Sequence, residues 1–292
     1  MFQQPQLRSS KITPDWIGWW SLKYKLIAAD LDGTLIGEDA IISPKVKDAV
    51  RRAMEKGVRF TIATGRAFGS ALPFAQELGI NAPLICYQGG LIKDHSSGRV
   101  IYEQSVPLPL AQEIIRFTRQ RGLHLNVYLD GHAYVERMTP EARYYTRIAR
   151  AAVYPVGDML AFLDRNPMKF IIILPDDGAT RPLIAELGAL FAGRMRFVQS
   201  YPRFVEGIPL GVSKGHALAR LAAHLDLTLE ETIGIGDNDN DLELVEQAGL
   251  GVAMGNASPA VKAAADYIAP PVGKEGVVEV IEKFVLRELA RW

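Results

Sequence analysis

Apolar residues in this chain fall into short runs closed by glycine, aspartate or proline, and these runs alternate with stretches of helical period. Leu26-Ile27-Ala28-Ala29 reads as a short buried strand. Ser43-Pro44 then supplies an N-cap and a proline for the first helical position, and the helix runs to about residue 56, where Gly57 ends it. Residues 58–63 form a second strand. Residues 67–78 form a helix that Pro73 is expected to kink, and residues 83–87 a third strand. Strand, helix, strand, helix, strand predicts a parallel sheet with right-handed crossovers.

The pattern then changes. Residues 90–93 and 100–103 flank Ser96-Ser97-Gly98 as a hairpin, and residues 123–129 and 132–136 flank the strong turn Asp130-Gly131. Helices are expected at 109–121, near 140–150, at 157–164 and at 180–191, with strands at 168–174, 194–200 and 203–206. Hairpins mixed with helices predict an antiparallel sheet with helices on one face, an α+β unit. From Val212 the first pattern returns. Ser213 caps a helix to about 225, a strand at 232–235 precedes a helix to 247, and a strand at 249–253 follows. Ser258 caps one more helix, and Gly276 begins the last. The fold class expected is therefore α/β: a Rossmann-like doubly wound parallel core, residues 23–93 and 206–292, interrupted by an α+β unit at 94–205. Residues 1–22 are an N-terminal extension whose Trp16, Trp19 and Trp20 are expected to pack on the core. No repeat or low-complexity tract is apparent.

The chain's 292 residues, 48% of them hydrophobic, suffice for a full core. Lysine plus arginine and aspartate plus glutamate both number 33, a balance that argues against nucleic acid as the main partner. The single cysteine, Cys86, excludes an internal disulfide and a cysteine-rich zinc site, and reads as a small buried hydrophobe. No run approaches the roughly 18 apolar residues of a membrane span, and residues 1–22 lack a signal-peptide core. The expectation is a cytoplasmic protein, a monomer or small homo-oligomer, with no membrane or nucleic-acid partner.

Candidate chemistry collects at strand ends. Asp30-Leu31-Asp32-Gly33-Thr34-Leu35 closes the first strand, Thr64-Gly65-Arg66 follows the second, Lys214 opens a helix, and Gly236-Asp237-Asn238-Asp239-Asn240-Asp241 follows a later strand. Open α/β sheets bind ligands at the carboxyl edge, where all four stretches sit. Close carboxylates repel, and a bound cation relieves that. Oxygen donors suit Mg²⁺, which takes one or two carboxylates plus water and substrate phosphate. Each stretch also has a plain reading: an Asp-rich turn, a strand-to-helix turn, a solvated lysine, acidic residues at a helix N-terminus. The four in this order favour a site.

In order, Asp30-Leu31-Asp32-Gly33-Thr34-Leu35, Ala63-Thr64-Gly65-Arg66, Val212-Ser213-Lys214-Gly215 and the Gly236–Asp241 stretch resemble the four motifs of the haloacid dehalogenase superfamily of phosphohydrolases, specifically its Cof-type branch. The resemblance spans nearly the whole chain beyond residue 22. One departure is Tyr87-Gln88-Gly89-Gly90, where many relatives carry an Asn-Gly turn, so no substrate contact is assigned there. The resemblance implies a phosphatase of small phosphorylated metabolites, such as sugar phosphates, nucleotides or cofactor phosphates. Asp30 would attack phosphorus and form an aspartyl phosphate. Asp32 would protonate the leaving oxygen and later activate water, which requires its surroundings to hold a proton on it at neutral pH. Mg²⁺ would be held by Asp30, the Asp32 main-chain carbonyl and Asp237, with Asp241 supporting. Thr34, Thr64, Gly65, Arg66, Lys214 and Asn240 would line the phosphate and substrate site.

An acid at position 32 fits a phosphatase or phosphomutase rather than a dehalogenase or an ion pump. The inserted unit, between the Thr64 and Lys214 motifs, takes the place of a Cof-type cap. Phosphohexomutases resembling phosphomannomutase share that insertion point and are the alternative, although the cap arginines Arg137, Arg194, Arg196 and Arg203 form no obvious cluster. A non-catalytic binding module on the same fold is the other. For leaving-group recognition, Asp130, His132 and Lys169 read as surface residues, and Glu206 is the better candidate.

Overall fold

The computed structural model describes residues 22–149 and 151–286. Residues 1–21, with Trp16, Trp19 and Trp20, lie outside the described residues, and the expectation for them is not addressed further. In chain order the first region holds β1 (Leu26–Ala29), α1 (Pro44–Glu55), β2 (Arg59–Ile62), α2 (Phe68–Leu78), β3 (Leu84–Cys86), β4 (Leu91–Lys93) and β5 (Val100–Glu103). The second holds α3 (Leu108–Gln120), β6 (His124–Leu129), β7 (His132–Val135), α4 (Pro140–Ala149), β8 (Val153–Pro155), α5 (Met159–Phe162), β9 (Lys169–Ile173), α6 (Thr180–Leu190), β10 (Met195–Tyr201) and β11 (Phe204–Pro209). The third holds α7 (Lys214–His224), β12 (Thr232–Gly236), α8 (Leu242–Gln247), β13 (Leu250–Ala253), α9 (Pro259–Ala264), β14 (Tyr267–Ile268) and α10 (Gly276–Phe284).

Five strands make a parallel sheet in the order β14-β13-β12-β1-β2. Strand β1, inside the sheet between β12 and β2, is buried along its whole length, and its run of apolar residues without polar alternation is what a parallel strand covered on both faces requires. Ser43 caps α1 by accepting the Val46 N–H at 3.2 Å, and Ser213 caps α7 by accepting the His216 N–H at 3.1 Å. Helix α2 carries Pro73 in its interior. The third expected strand, β3, touches the main sheet at a single bridge, Ala63 to Ile85, and otherwise pairs antiparallel in a three-stranded sheet β3-β4-β5.

The inserted region is a six-stranded sheet, β10-β11-β9-β6-β7-β8, antiparallel except for β7–β8. Asp130 and Gly131 both take positive φ in the β6–β7 hairpin turn. The sheet differs from expectation in three ways. Helices α3, α5 and α6 pack one apolar face, but α4 packs the other, where Tyr145 joins Tyr128, Ile171, Ile173 and Phe204. The short parallel strand β8 was not foreseen. The sheet also ends at Pro209 instead of 205, so the expected division falls inside β11, and the 90–103 hairpin stays with β3. Glu206 is the reason for the first of these boundary shifts: a glutamate reads as a strand's end, yet here it is buried mid-strand.

Two glycines let loops approach closely enough to build the site. Gly33 (φ 86°) lies where a Cβ would come within 2.3 Å of Asp237 Oδ2. Gly89 (φ 100°) lies against the N-terminus of α7, where a Cβ would come within 2.2 Å of the Ser213 carbonyl oxygen. The Gly89→Ala variant should lose stability on two counts, steric overlap with a fixed backbone and a strained φ that alone costs about 1–3 kcal/mol. Urea denaturation followed by circular dichroism checks this, and an unchanged midpoint would contradict it.

Candidate active site

Side chains from the ends of β1 and β12 and the start of α7 converge at the carboxyl edge of the parallel sheet. Asp30, Asp237 and Asp241 are buried, and their nearest carboxylate oxygens lie within 4.8 Å of one another. Lys214 is fully buried among them, with Nζ 2.7 Å from Asp30 Oδ1 and 2.5 Å from Asp241 Oδ1. Its position follows from Ser213: the cap fixes the first turn of α7, and residue 214 is the first helical residue. Burial disfavours the lysine's charge, but the attractions of Asp241 and Asp30 outweigh that and raise its pKa.

Three buried carboxylates face one ammonium, and the imbalance shows in the carboxyl groups. Burial, then repulsion from Asp241, raises Asp30 well above the ordinary range despite Lys214. The same two causes push Asp237 up to about 7. Asp237 accepts from the Thr34 hydroxyl and from the Asn238 and Asn256 side-chain amides, and Asp241 is as fully engaged. Its Oδ1 accepts from Lys214, and its Oδ2 accepts the backbone N–H groups of Asp237 and Asn238, both at 3.0 Å. Asp30, held through one oxygen by Lys214, therefore has the most lone-pair capacity open. A compact set of oxygen donors with an excess of negative charge fits a hard divalent cation.

The structure separates the other expected residues by what they touch. Asp32 does not join the carboxylate cluster. Its side chain is half exposed and is gripped by Arg66, Nε to Oδ2 at 2.7 Å and Nη2 to Oδ1 at 2.5 Å. Arg66, expected to line the phosphate site, thus serves Asp32 and stacks its guanidinium over Phe74. Thr34 is buried and donates to Asp237 Oδ1 at 3.2 Å, which directs its hydroxyl toward the acidic cluster. Thr64 Oγ1 accepts the Arg66 N–H at 3.1 Å, leaving its own proton for another partner. Asn240 donates Nδ2 to Gln88 Oε1 at 2.9 Å.

Some residues around the site went unread or misread in the sequence. Lys169, expected at the surface, is buried, bonded to Glu206 Oε2 at 2.9 Å and to the Gly65 carbonyl at 2.6 Å. The available signal was its place next to the apolar run Phe170-Ile171-Ile172-Ile173, since a lysine in a buried strand must be paired. Asn256 donates to the Gly33 carbonyl at 2.9 Å and to Asp237 Oδ2 at 3.3 Å, with no sequence signal to mark it. Asp130 and His132 are exposed, as expected, and Asp130 pairs with Arg165. Cys86 is buried, and burial pushes its thiol up to about 12, so it is inert. Among the described residues no helix is long and apolar enough to cross a membrane.

Comparison with known proteins agrees with this geometry. A family model described as haloacid dehalogenase-like hydrolase matches residues 27–281. A 5-amino-6-(5-phospho-D-ribitylamino)uracil phosphatase of Bacillus subtilis is 30% identical, covering 90% of this chain and 96% of its own. An HMP-PP phosphatase of Yersinia pseudotuberculosis is also 30% identical, covering 82% of this chain and 86% of its own. Among solved structures, a haloacid dehalogenase-like hydrolase from Bacteroides thetaiotaomicron superposes with a TM-score of 0.81 at 33% identity, covering 89% of this chain and 99% of that one.

The crowded carboxylates predict an unusual pH response when no divalent cation is available. Asp30 and Asp237 bind protons more tightly folded than unfolded. Their contribution to stability is complete below the range of a free aspartate, about pH 4. It is lost as pH rises through about 7, where Asp237 ionises. The thermal midpoint in EDTA should therefore fall between these limits, and Asp237→Asn should flatten the decline. A midpoint in the variant that tracks the native protein across this window would contradict the assignment.

Proposed function

The chain belongs to the haloacid dehalogenase-like hydrolases, and from that premise we propose that it is a Mg²⁺-dependent phosphatase of small phosphorylated metabolites, working through an aspartyl phosphate on Asp30. The observation that carries this reading is the buried Asp30-Lys214-Asp241 arrangement beside Asp237, at the edge of the sheet where ligands bind. Asp30 and Asp237 would hold the cation through carboxylate oxygens and Asp32 through its main-chain carbonyl, while Asp241 fixes Lys214 and the 237–238 backbone. A bound Mg²⁺ would neutralise phosphoryl charge and template the in-line geometry.

The protein's own groups account for the rest. One Asp30 oxygen is held by Lys214, which orients the carboxylate and leaves the other oxygen to form the bond to phosphorus as the ester oxygen departs. Lys214 and the Thr64 hydroxyl would offset charge on the phosphoryl oxygens. Asp32, outside the cluster, would give a proton to the departing oxygen and later take one from water. Its grip by Arg66 must loosen for this, and an incoming phosphate competes for the same guanidinium. The six-stranded sheet and α4 form the cap that covers the site. A leaving group would meet Tyr128 and Tyr145, whose hydroxyls are bonded to each other, near Arg66. The relatives' names, an aminouracil phosphatase and an HMP-PP phosphatase, favour a screen that includes heterocyclic phosphates beside sugar phosphates.

Hydrolysis of p-nitrophenyl phosphate should require Mg²⁺ and vanish in EDTA, and Asp30→Asn should reduce turnover to background with every substrate. Full turnover without metal, or a phosphoenzyme formed on Asp30→Asn, would overturn the reading. The Asp32→Asn variant should discriminate between leaving groups. Loss of general acid catalysis costs roughly 10²- to 10⁴-fold, felt by a sugar alkoxide and little by p-nitrophenolate. Single-turnover quench kinetics isolates the phosphorylation step, and equal defects for the two substrates would remove Asp32 from that role.

A further inference from the structure

Gln88 stands where the expected family turn has asparagine, and its side chain spans the two halves of the molecule. It is buried, in the left-handed region at φ 60°, with its amide packed on Gly65 so closely that a Cβ there would meet Gln88 Nε2 at 2.4 Å. On one side Nε2 donates to Glu206 Oε2 at 3.1 Å, on strand β11 of the inserted sheet. On the other, Oε1 accepts from Asn240 Nδ2 at 2.9 Å.

We propose that Gln88 is a positioning residue: held by Glu206, it orients the Asn240 carboxamide toward bound phosphate, so the phosphate pocket is complete only with the inserted sheet seated. The proposal rests on the phosphatase reading above and extends it to residues that reading does not use.

The chain of bonds has a fixed direction. Glu206 accepts from Lys169 Nζ at 2.9 Å, from Ser200 Oγ at 2.6 Å and from Gln88, and a carboxylate has no proton to return. The Gln88 NH₂ must therefore face Glu206, its carbonyl oxygen must face Asn240, and the Asn240 NH₂ must face Gln88. Without the carboxylate at the head of the chain, either amide fits equally well turned by half a revolution. The fixed direction leaves the Asn240 NH₂ with a second proton to donate to a phosphoryl oxygen, and turns its acceptor Oδ1 away from Gln88, where it is buried and makes no bond within the protein. Lys169 adds a second tie, from the same buried pair to the Gly65 carbonyl in the loop that carries Thr64. Both members of the pair are almost fully enclosed, 3% and 4% exposed, and separating them would leave a buried charge alone. One ion pair on the inserted sheet thus touches two pieces of the phosphate end, Gly65 directly and Asn240 through Gln88.

The test uses inorganic phosphate as the probe, as an inhibitor of p-nitrophenyl phosphate hydrolysis by the full chain. Gln88→Met keeps the side chain's length and removes both bonds. In the otherwise native protein it should weaken phosphate inhibition and raise KM roughly 10- to 100-fold, the range expected for a lost hydrogen bond to a charged group. In an Asn240→Ala background the same change should cost less than about twofold, because its route to phosphate is gone. Equal factors in both backgrounds, or no effect in the first, would overturn the proposal. If Gln88→Met does not fold, Gln88→Ala, which removes the same two bonds and leaves the Lys169–Glu206 pair intact, replaces it with the same expectation and the same overturning result. A wild-type protein with no phosphatase activity on any substrate would overturn the phosphatase reading itself, and this inference with it.

Discussion

Lys214 sets the terms for everything around it. An ammonium with no exposure to water needs partners on every side, and it finds Asp30 and Asp241 within 2.7 Å. Those two carboxylates come from opposite ends of the sequence, and a third, Asp237, crowds the same volume. Such a cluster cannot be assembled by local structure. It requires β1 and β12 to be neighbours in parallel register, so that both strands end at the same level. It also requires α7 to begin there, which Ser213 ensures, and loops with no side chain where they cross, which Gly33 and Gly89 supply. The negative charge in excess of the lysine is what a bound cation could balance.

Much of this was legible because the relevant signals are local. Short apolar runs ending in Asp or Thr-Gly marked β1, β2 and β12, and capping serines marked α1, α7 and α9. Those positions marked the stretches that hold the three cluster carboxylates and Lys214, and the family resemblance singled out these residues within them. What escaped depends on partners distant in sequence. The fork between Asp32 and Arg66 joins residues 34 apart, and the Thr34 hydroxyl meets Asp237 from 203 residues away. Lys169 looked like a solvent-facing residue, and Glu206 like a substrate contact, because each was read without the other. Side chains on β9 and β11 alternate faces, and register places Lys169 and Glu206 diagonally on one face. The short strands β8 and β14 were missed because two or three residues carry no periodicity, and only a neighbouring strand defines them.

The inserted sheet shows how one element serves two surfaces. Its apolar positions toward α3, α5 and α6 form a self-contained core with Leu125, Val127, Phe170, Ile172 and Val205. The alternate positions on the same strands hold Tyr128, Ile171 and Phe204, which join the cluster that includes Tyr87 and Tyr145, beside the buried pair Lys169 and Glu206. A strand period of two therefore separates stability from contact with the rest of the chain, residue by residue.

The bonds that cross between the two regions bear on how this architecture can change over generations. Gln88 and Gly65 are encoded before the inserted segment, Lys169 and Glu206 within it, and the four meet in one buried group. An inserted segment exchanged with that of a relative would bring its own residues against a turn built for different ones, leaving a carboxylate, an ammonium or an amide unmatched in the interior. Recombination at the segment's ends is thus constrained at positions well outside the crossover points. Residues 65, 88, 169 and 206 form one packed group that an exchanged segment would have to match.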